Sequence, residues 1–174
     1  MSRNDVVIRP AVTDDLDAIA QIYAHHVLTG VATFELIPPD EDEWRSRFDA
    51  VTDRELPFVT ATLEGKIAGY GYCAPWKTRP AYRQTVENSV YLAPGATGLG
   101  IGGRVLDTLL TECGRAGVRQ IIAVIVDTES AAASLALHRN RRFIDAGRLR
   151  AVGFKHGRWL DTLLLQHSIA DVTD

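Results

Sequence analysis

Apolar residues along this chain change their spacing several times, and each change marks an element. Val6 to Arg9 reads as a short strand ended by Pro10. Thr13 is placed to cap a helix, with Asp14, Asp15 and Asp17 set favourably against the positive end of its dipole. Leu16, Ile19, Ala20, Tyr23 and Val27 then recur at helical spacing, and Gly30 supplies a stop. After the Pro38-Pro39 break the spacing predicts a more polar helix over Glu41 to Thr52. Phe58 to Leu63 and Ile67 to Cys73 flank Glu64-Gly65-Lys66 and read as a hairpin.

Val86 to Leu92 is a strand of mixed polarity. Val86, Asn88, Val90 and Leu92 share one face, and Glu87, Ser89 and Tyr91 the other. A glycine-rich loop leads to a helix from about Gly102 to Ala116, with Val105, Leu106, Leu109, Leu110 and Cys113 as its stripe. Ile121 to Val126 is apolar throughout, which predicts a strand buried on both faces. A helix from about Ser130 to Arg141 and strands near Phe143 to Arg150 and Trp159 to Gln166 complete the pattern. The class is α+β with one βαβ crossover. No linker or repeat divides residues 1–174, which read as a single domain.

Composition narrows the function classes. The net charge is −3, so no footprint for nucleic acid or an anionic membrane is expected. Cys73 and Cys113 are too few for a disulfide scaffold and lack zinc-site spacing. The longest apolar run falls far short of the ~20 residues of a membrane span. Residues 1–12 carry no basic segment followed by an apolar stretch, so a cytoplasmic protein is expected. His25 and His26 diverge by about 100° on their helix and are expected at the surface or an interface; His167 has no evident role. No metal site is predicted.

Thr97-Gly98-Leu99-Gly100-Ile101-Gly102-Gly103 lies between a strand and a helix. Glycine lets main chain approach a ligand closely, and the helix N-terminus adds unpaired N–H groups, so a phosphate-bearing ligand is the natural tenant. Gly98, Gly100 and Gly103 satisfy the dinucleotide fingerprint, with Asp127 at about the distance of a ribose-binding acid. Against that reading, five residues separate the strand from the first glycine, and too little chain follows for a doubly wound sheet.

A second reading takes Gly100-x-Gly102 as the end of an acyl-coenzyme A motif. Arg79 to Leu92, Thr33-Phe34-Glu35, Ser134 to His138 and Gly153 to Asp161 together resemble the Gcn5-related N-acetyltransferase (GNAT) superfamily, in its phosphinothricin and methionine sulfoximine N-acetyltransferase branch. The resemblance spans the whole domain. It implies a mixed central sheet of about seven strands flanked by about four helices, acetyl-coenzyme A as co-substrate, a small amine as acceptor, and a homodimer. Three positions depart from the family pattern: Thr97 where Arg or Gln is usual, Ala131 where Asn is usual, and Arg142 where Gly is usual. The first two imply weaker cofactor binding.

Acetyl transfer to an amine needs a neutral nitrogen, a polarised carbonyl and a protonated leaving thiolate. Glu87 is the candidate base, a charge inside a strand-like run, and the resemblance gives this glutamate that role. His138 stands where much of the superfamily has an acidic tyrosine; imidazole can donate to a thiolate or bind substrate. The resemblance gives the cofactor the main chain of Val90, Tyr91 and Leu92, the loop Thr97 to Gly103, and Ser134. The segment Trp76-Lys77-Thr78-Arg79-Pro80-Ala81-Tyr82-Arg83 mixes cations with aromatics, and its guanidinium forks suit a carboxylate or phosphinate. Phe34, Glu35, Trp76 and Tyr82 are expected to wall the amine pocket, with Glu35 near the amine and Asn88 and Ser89 beside it. The rival readings are acetylation of a polyamine or protein N-terminus, and a coenzyme A-binding module with little turnover.

Overall fold

The computed structural model describes residues 6–169; the part of the leader expectation that concerns the first five residues lies outside them. Its strands are β1 (Val6–Pro10), β2 (Phe58–Leu63), β3 (Lys66–Pro75), β4 (Thr85–Leu92), β5 (Gln120–Val126), β6 (Ile144–Lys155) and β7 (Arg158–Ser168). The helices are α1 (Leu16–Thr29), α2 (Glu41–Thr52), α3 (Ile101–Arg115) and α4 (Ala132–Arg139). All seven strands form one mixed sheet in the order β1-β2-β3-β4-β5-β7-β6. This is the α+β architecture expected.

Every neighbouring pair is antiparallel except β4 and β5, which α3 joins as a parallel crossover. The α3 stripe of Val105, Leu106, Leu109 and Cys113 is fully buried against one sheet face. The opposite face packs Tyr70, Tyr72 and Tyr91 under α1 and α2, where Ile19, Tyr23, Val27 and Trp44 are buried. On β5, Ile121, Ala123 and Ile125 join the core under α3, while Val126 on the other face packs with Val31, Leu160 and Phe34, so both faces call for apolar residues.

The feature that makes a site is an incomplete pairing. β4 bonds β5 only through Thr85↔Gln120, Val86↔Ile121 and Glu87↔Ile122. Beyond Glu87 the two strands part, while Ala123 to Val126 continue to pair with β7 on their other side. Main-chain groups alternate sides along a strand. Ala93 donates to Ala68 on the β3 side, so Asn88, Val90 and Leu92 turn their N–H and C=O groups toward the gap. Tyr91 turns its own toward β3.

Two local expectations change. Thr13 opens a single 3₁₀ turn, and α1 starts at Leu16 without a side-chain cap. Asp15 is instead buried, accepting two guanidinium bonds from Arg9 at 2.7 Å and the Val12 N–H at 2.9 Å. That pairing holds its carboxyl below the usual carboxylate range. The last two strands are also longer than their apolar spacing predicts. They form one hairpin whose β6 strand bulges between Asp145 and Gly147 and between Leu149 and Gly153. Asp161 holds the second bulge, accepting the Ala151 N–H at 2.7 Å and pairing with Arg148 at 2.8 Å.

Candidate active site

The gap between β4 and β5 opens into a cleft of about 530 Å³. Glu87 to Leu92 form one wall and Ala123 to Val126 the other, closed by Thr97, Ala131, Ser134 and His138 from the helical side. Tyr23, His26, Thr33 and Phe34 close it from α1 and the loop after it. The structure therefore brings Phe34, Glu87, Asn88, Ser89, Val90, Tyr91, Leu92, Thr97, Ser134 and His138 to one place.

Glu87 sits at the last paired residue before the strands diverge, on the α1–α2 face. Burial pushes its carboxyl above the usual glutamate value. His138 is buried on α4, on the opposite side of β4. Its Nδ1 donates to the Ser134 carbonyl at 2.8 Å, and Asn88 Nδ2 lies 2.9 Å from its Nε2. Burial lowers its pKa and so disfavours the cationic ring.

The glycine loop divides by function. Gly98 (φ +78°) and Gly100 (φ +79°) occupy the left-handed region, and Gly100 caps α3 with no side chain, so the first α3 amides stay open. Leu99 is half-buried and Ile101 fully buried; both anchor the loop to the core by their side chains. Gly102 sits in ordinary contact range of Leu92 and Leu137. Gly103 serves a different purpose: a Cβ there would lie 2.6 Å from the Arg141 guanidinium, which packs over this turn and pairs with Asp107 at 2.6 Å.

Several predicted substrate residues lie elsewhere. Glu35 does not line the cleft; its Oε1 pairs with Arg47 of α2 at 2.6 Å, which removes it from the expected position beside an amine. Lys77, Thr78, Arg79 and Arg83 line a second recess of about 720 Å³ with Arg47 and Arg54 of α2. Trp76 and Tyr82 border neither cavity, and the Lys77 ammonium lies over the Trp76 ring. Tyr72 borders both and forms the partition between them.

Other residues enter that the spacing did not single out. His26 is not a surface histidine: it donates from Nε2 to the Leu92 carbonyl at 2.8 Å and packs on Tyr91. That bond takes the Leu92 carbonyl out of use and leaves Val90 with the freest main-chain groups. Thr33 bonds the Tyr23 hydroxyl at 2.6 Å, and burial pushes that phenol up to about 12. The buried Lys155 donates to the Thr33 carbonyl at 2.9 Å, and His156 donates to the Gly30 carbonyl at 3.2 Å. Phe34 covers Gly153 so closely that any side chain there would displace its ring. The segments 33–35 and 153–156 thus form one clamp at the cleft mouth. Only the adjacency of Thr33 to Phe34 hinted at this; the other partners lie more than 100 positions away.

The parted strands, the left-handed glycines and the open α3 terminus define an acyl-coenzyme A-dependent transferase. Residues 19–143 match the acetyltransferase (GNAT) family, and the chain belongs to it: it is an acetyl-coenzyme A-dependent N-acetyltransferase. It is similar to the phosphinothricin N-acetyltransferase of Alcaligenes faecalis, 46% identical over 97% of this chain and 85% of that one. It is 33% identical to the L-methionine sulfoximine/L-methionine sulfone acetyltransferase of Salmonella typhimurium, over 92% and 93% of the two chains. Among solved structures, the phosphinothricin acetyltransferase of Sinorhizobium meliloti in complex with acetyl-coenzyme A superposes with a TM-score of 0.92 at 44% identity, covering 97% and 91%.

Proposed function

We propose that this enzyme transfers acetyl to the free α-amine of a small amino-acid analogue bearing an anionic group, of the phosphinothricin or methionine sulfoximine type. Transfer is direct, in a ternary complex, with Glu87 as general base. The observation that carries the reading is the position of Glu87: a carboxylate of raised proton affinity at the point where a strand releases its main chain into a cleft. A carboxylate so tuned removes a proton from an ammonium at neutral pH better than an exposed one. Acetyl-coenzyme A supplies an activated acyl carbon and a thiolate leaving group.

The chain's residues fit that co-substrate. The Val90 N–H and C=O face the gap unpaired by β5, the amides behind Gly100 converge for a diphosphate, and Thr162 Oγ1, buried beside the cleft, has no hydrogen-bond partner among the described residues. In this reading Val90 holds the extended arm and polarises the carbonyl, while Leu92 and Tyr91 position Val90. Thr97, Gly98, Leu99, Gly100, Ile101, Gly102, Gly103 and Ser134 line or shape the phosphate end. Phe34 and Ser89 border the amine. The basic recess of Lys77, Arg79 and Arg83 accepts the anionic end of the substrate across Tyr72.

The names of the relatives support this substrate class, and the basic recess disfavours polyamines. We place the enzyme in the cytoplasm, where its acyl donor is made. We also propose a homodimer. β6 is a free sheet edge, and the hairpin exposes Ile144, Leu149, Val152, Phe154 and Trp159; a second copy covers such an edge and its unpaired amides. Thiol release from acetyl-coenzyme A is measured across phosphinothricin, methionine sulfoximine, methionine sulfone, ordinary amino acids and polyamines. Turnover of the first three is expected. Turnover of polyamines alone overturns the substrate reading, and cofactor binding without turnover of any amine favours the coenzyme A-binding module that Thr97 and Ala131 make credible.

A further inference from the structure

His138 and Asn88 form a buried pair whose hydrogen atoms can be assigned from chemistry. Asn88 is 6% exposed and His138 4%. The Ser134 carbonyl can only accept, so Nδ1 of His138 carries a proton. A neutral imidazole has one N–H, so Nε2 is bare and accepts. The Asn88 atom facing it at 2.9 Å is therefore the amide nitrogen. That leaves Asn88 Oδ1 buried, and among the described residues it has no hydrogen-bond partner. Asn88 is the first β4 residue past the last pairing with β5, and it borders the cleft. A buried acceptor without a partner is costly until a donor reaches it, and Asn88 is placed where a ligand can supply one.

We propose that His138 is a positioning residue: held as the neutral Nδ1–H tautomer, it orients the Asn88 carboxamide so that Oδ1 accepts an N–H of a reactant in the cleft. The ligand half of this rests on the acetyltransferase reading; the tautomer does not. A general acid for a departing thiolate needs an N–H aimed at the cleft, and both ring nitrogens of His138 are engaged inside the protein. Phe143 packs edge-on against the ring at 4.9 Å between centroids. The donor to Oδ1 is either the substrate amine or an amide of the pantetheine arm, both of which present N–H groups.

Two measurements test the proposal. In the ligand-free enzyme labelled with ¹⁵N-histidine, long-range ¹H–¹⁵N correlation at pH 7.5 reads the tautomer directly. A protonated Nδ1 and a bare Nε2 at His138 are expected; an Nε2–H tautomer or a cationic ring overturns the proposal, whatever the activity. In kinetics, Asn88→Leu is expected to raise one KM about tenfold. The affected constant identifies the donor, the amine's KM for the substrate and that of acetyl-coenzyme A for the arm. His138→Phe is expected to raise the same KM, to add nothing in the Asn88→Leu background, and to be largely rescued by His138→Gln, whose Oε1 accepts from Asn88 Nδ2 but cannot act as an acid. A loss confined to kcat that His138→Gln fails to rescue overturns the proposal. An enzyme inactive on every amine with the expected tautomer defeats the substrate reading and leaves the pairing standing.

Discussion

Glu87 carries opposite consequences for activity and for stability. If Glu87 is the base proposed above, Glu87→Gln is expected to lose at least ~100-fold in kcat/KM, within the range general bases contribute, in the thiol-release assay. For stability, its folded proton affinity is raised by burial. Between the ordinary glutamate value and the raised one, the folded state binds the extra proton, so stability falls as pH rises through that window. Glu87→Gln is therefore expected to stabilise the protein at pH 8 and leave it unchanged near pH 4, as urea midpoints at the two pH values would record. Thr97 is the second informative residue. It borders the cleft at the position where the family resemblance implies Arg or Gln, and a charge-assisted bond to phosphate contributes ~1.5–3 kcal/mol. Thr97→Arg is expected to tighten coenzyme A binding roughly tenfold or more, and calorimetry finding no gain would count against the phosphate path.

The end of α4 illustrates how an element tolerates an unfavourable residue. Arg142 adopts φ +64°, the left-handed position that most often belongs to glycine just past a helix. The turn is kept because Arg142 N–H bonds the Arg139 carbonyl and Phe143 N–H bonds the His138 carbonyl. Arg142→Gly is expected to raise stability by about 0.5–1 kcal/mol, seen as a shifted urea midpoint with an unchanged slope. Helices and inner strands were legible from spacing, because each presents a fixed face to one core. The outer ends of β6 and β7 were not: residues such as Ile144, Leu149 and Trp159 are exposed, so no alternation marks them. Thr13 misled because it opens a separate 3₁₀ turn, and Asp15, at the start of α1, is paired with Arg9 and makes no side-chain cap.

The sheet as a whole ends at β6, a twelve-residue edge with apolar side chains facing out. If a second copy covers it, Phe154→Asp with Trp159→Asp is expected to yield a monomer by sedimentation velocity, with the circular dichroism of the fold retained. Because Phe34 lies over Gly153 and Lys155 holds Thr33, the same hairpin also supports the cleft mouth. The double variant is therefore expected to raise the KM for the amine more than that for acetyl-coenzyme A, in the same thiol-release assay.

Local pattern alone determined the helices, the inner strands, the crossover and the glycine-rich loop before α3, because spacing and backbone preference act between residues a few positions apart. The resemblance to known acetyltransferases marked Glu87 and the cofactor strand. The rest depended on contacts between distant segments. β4 and β5 part after Glu87; α2 brings Arg47 to Glu35; α4 brings His138 to Asn88, 50 positions earlier. Each outcome is set by which partner a polar group meets in the folded chain. A single linear sequence does not display that choice, since burial forces the pairing only once the core has closed.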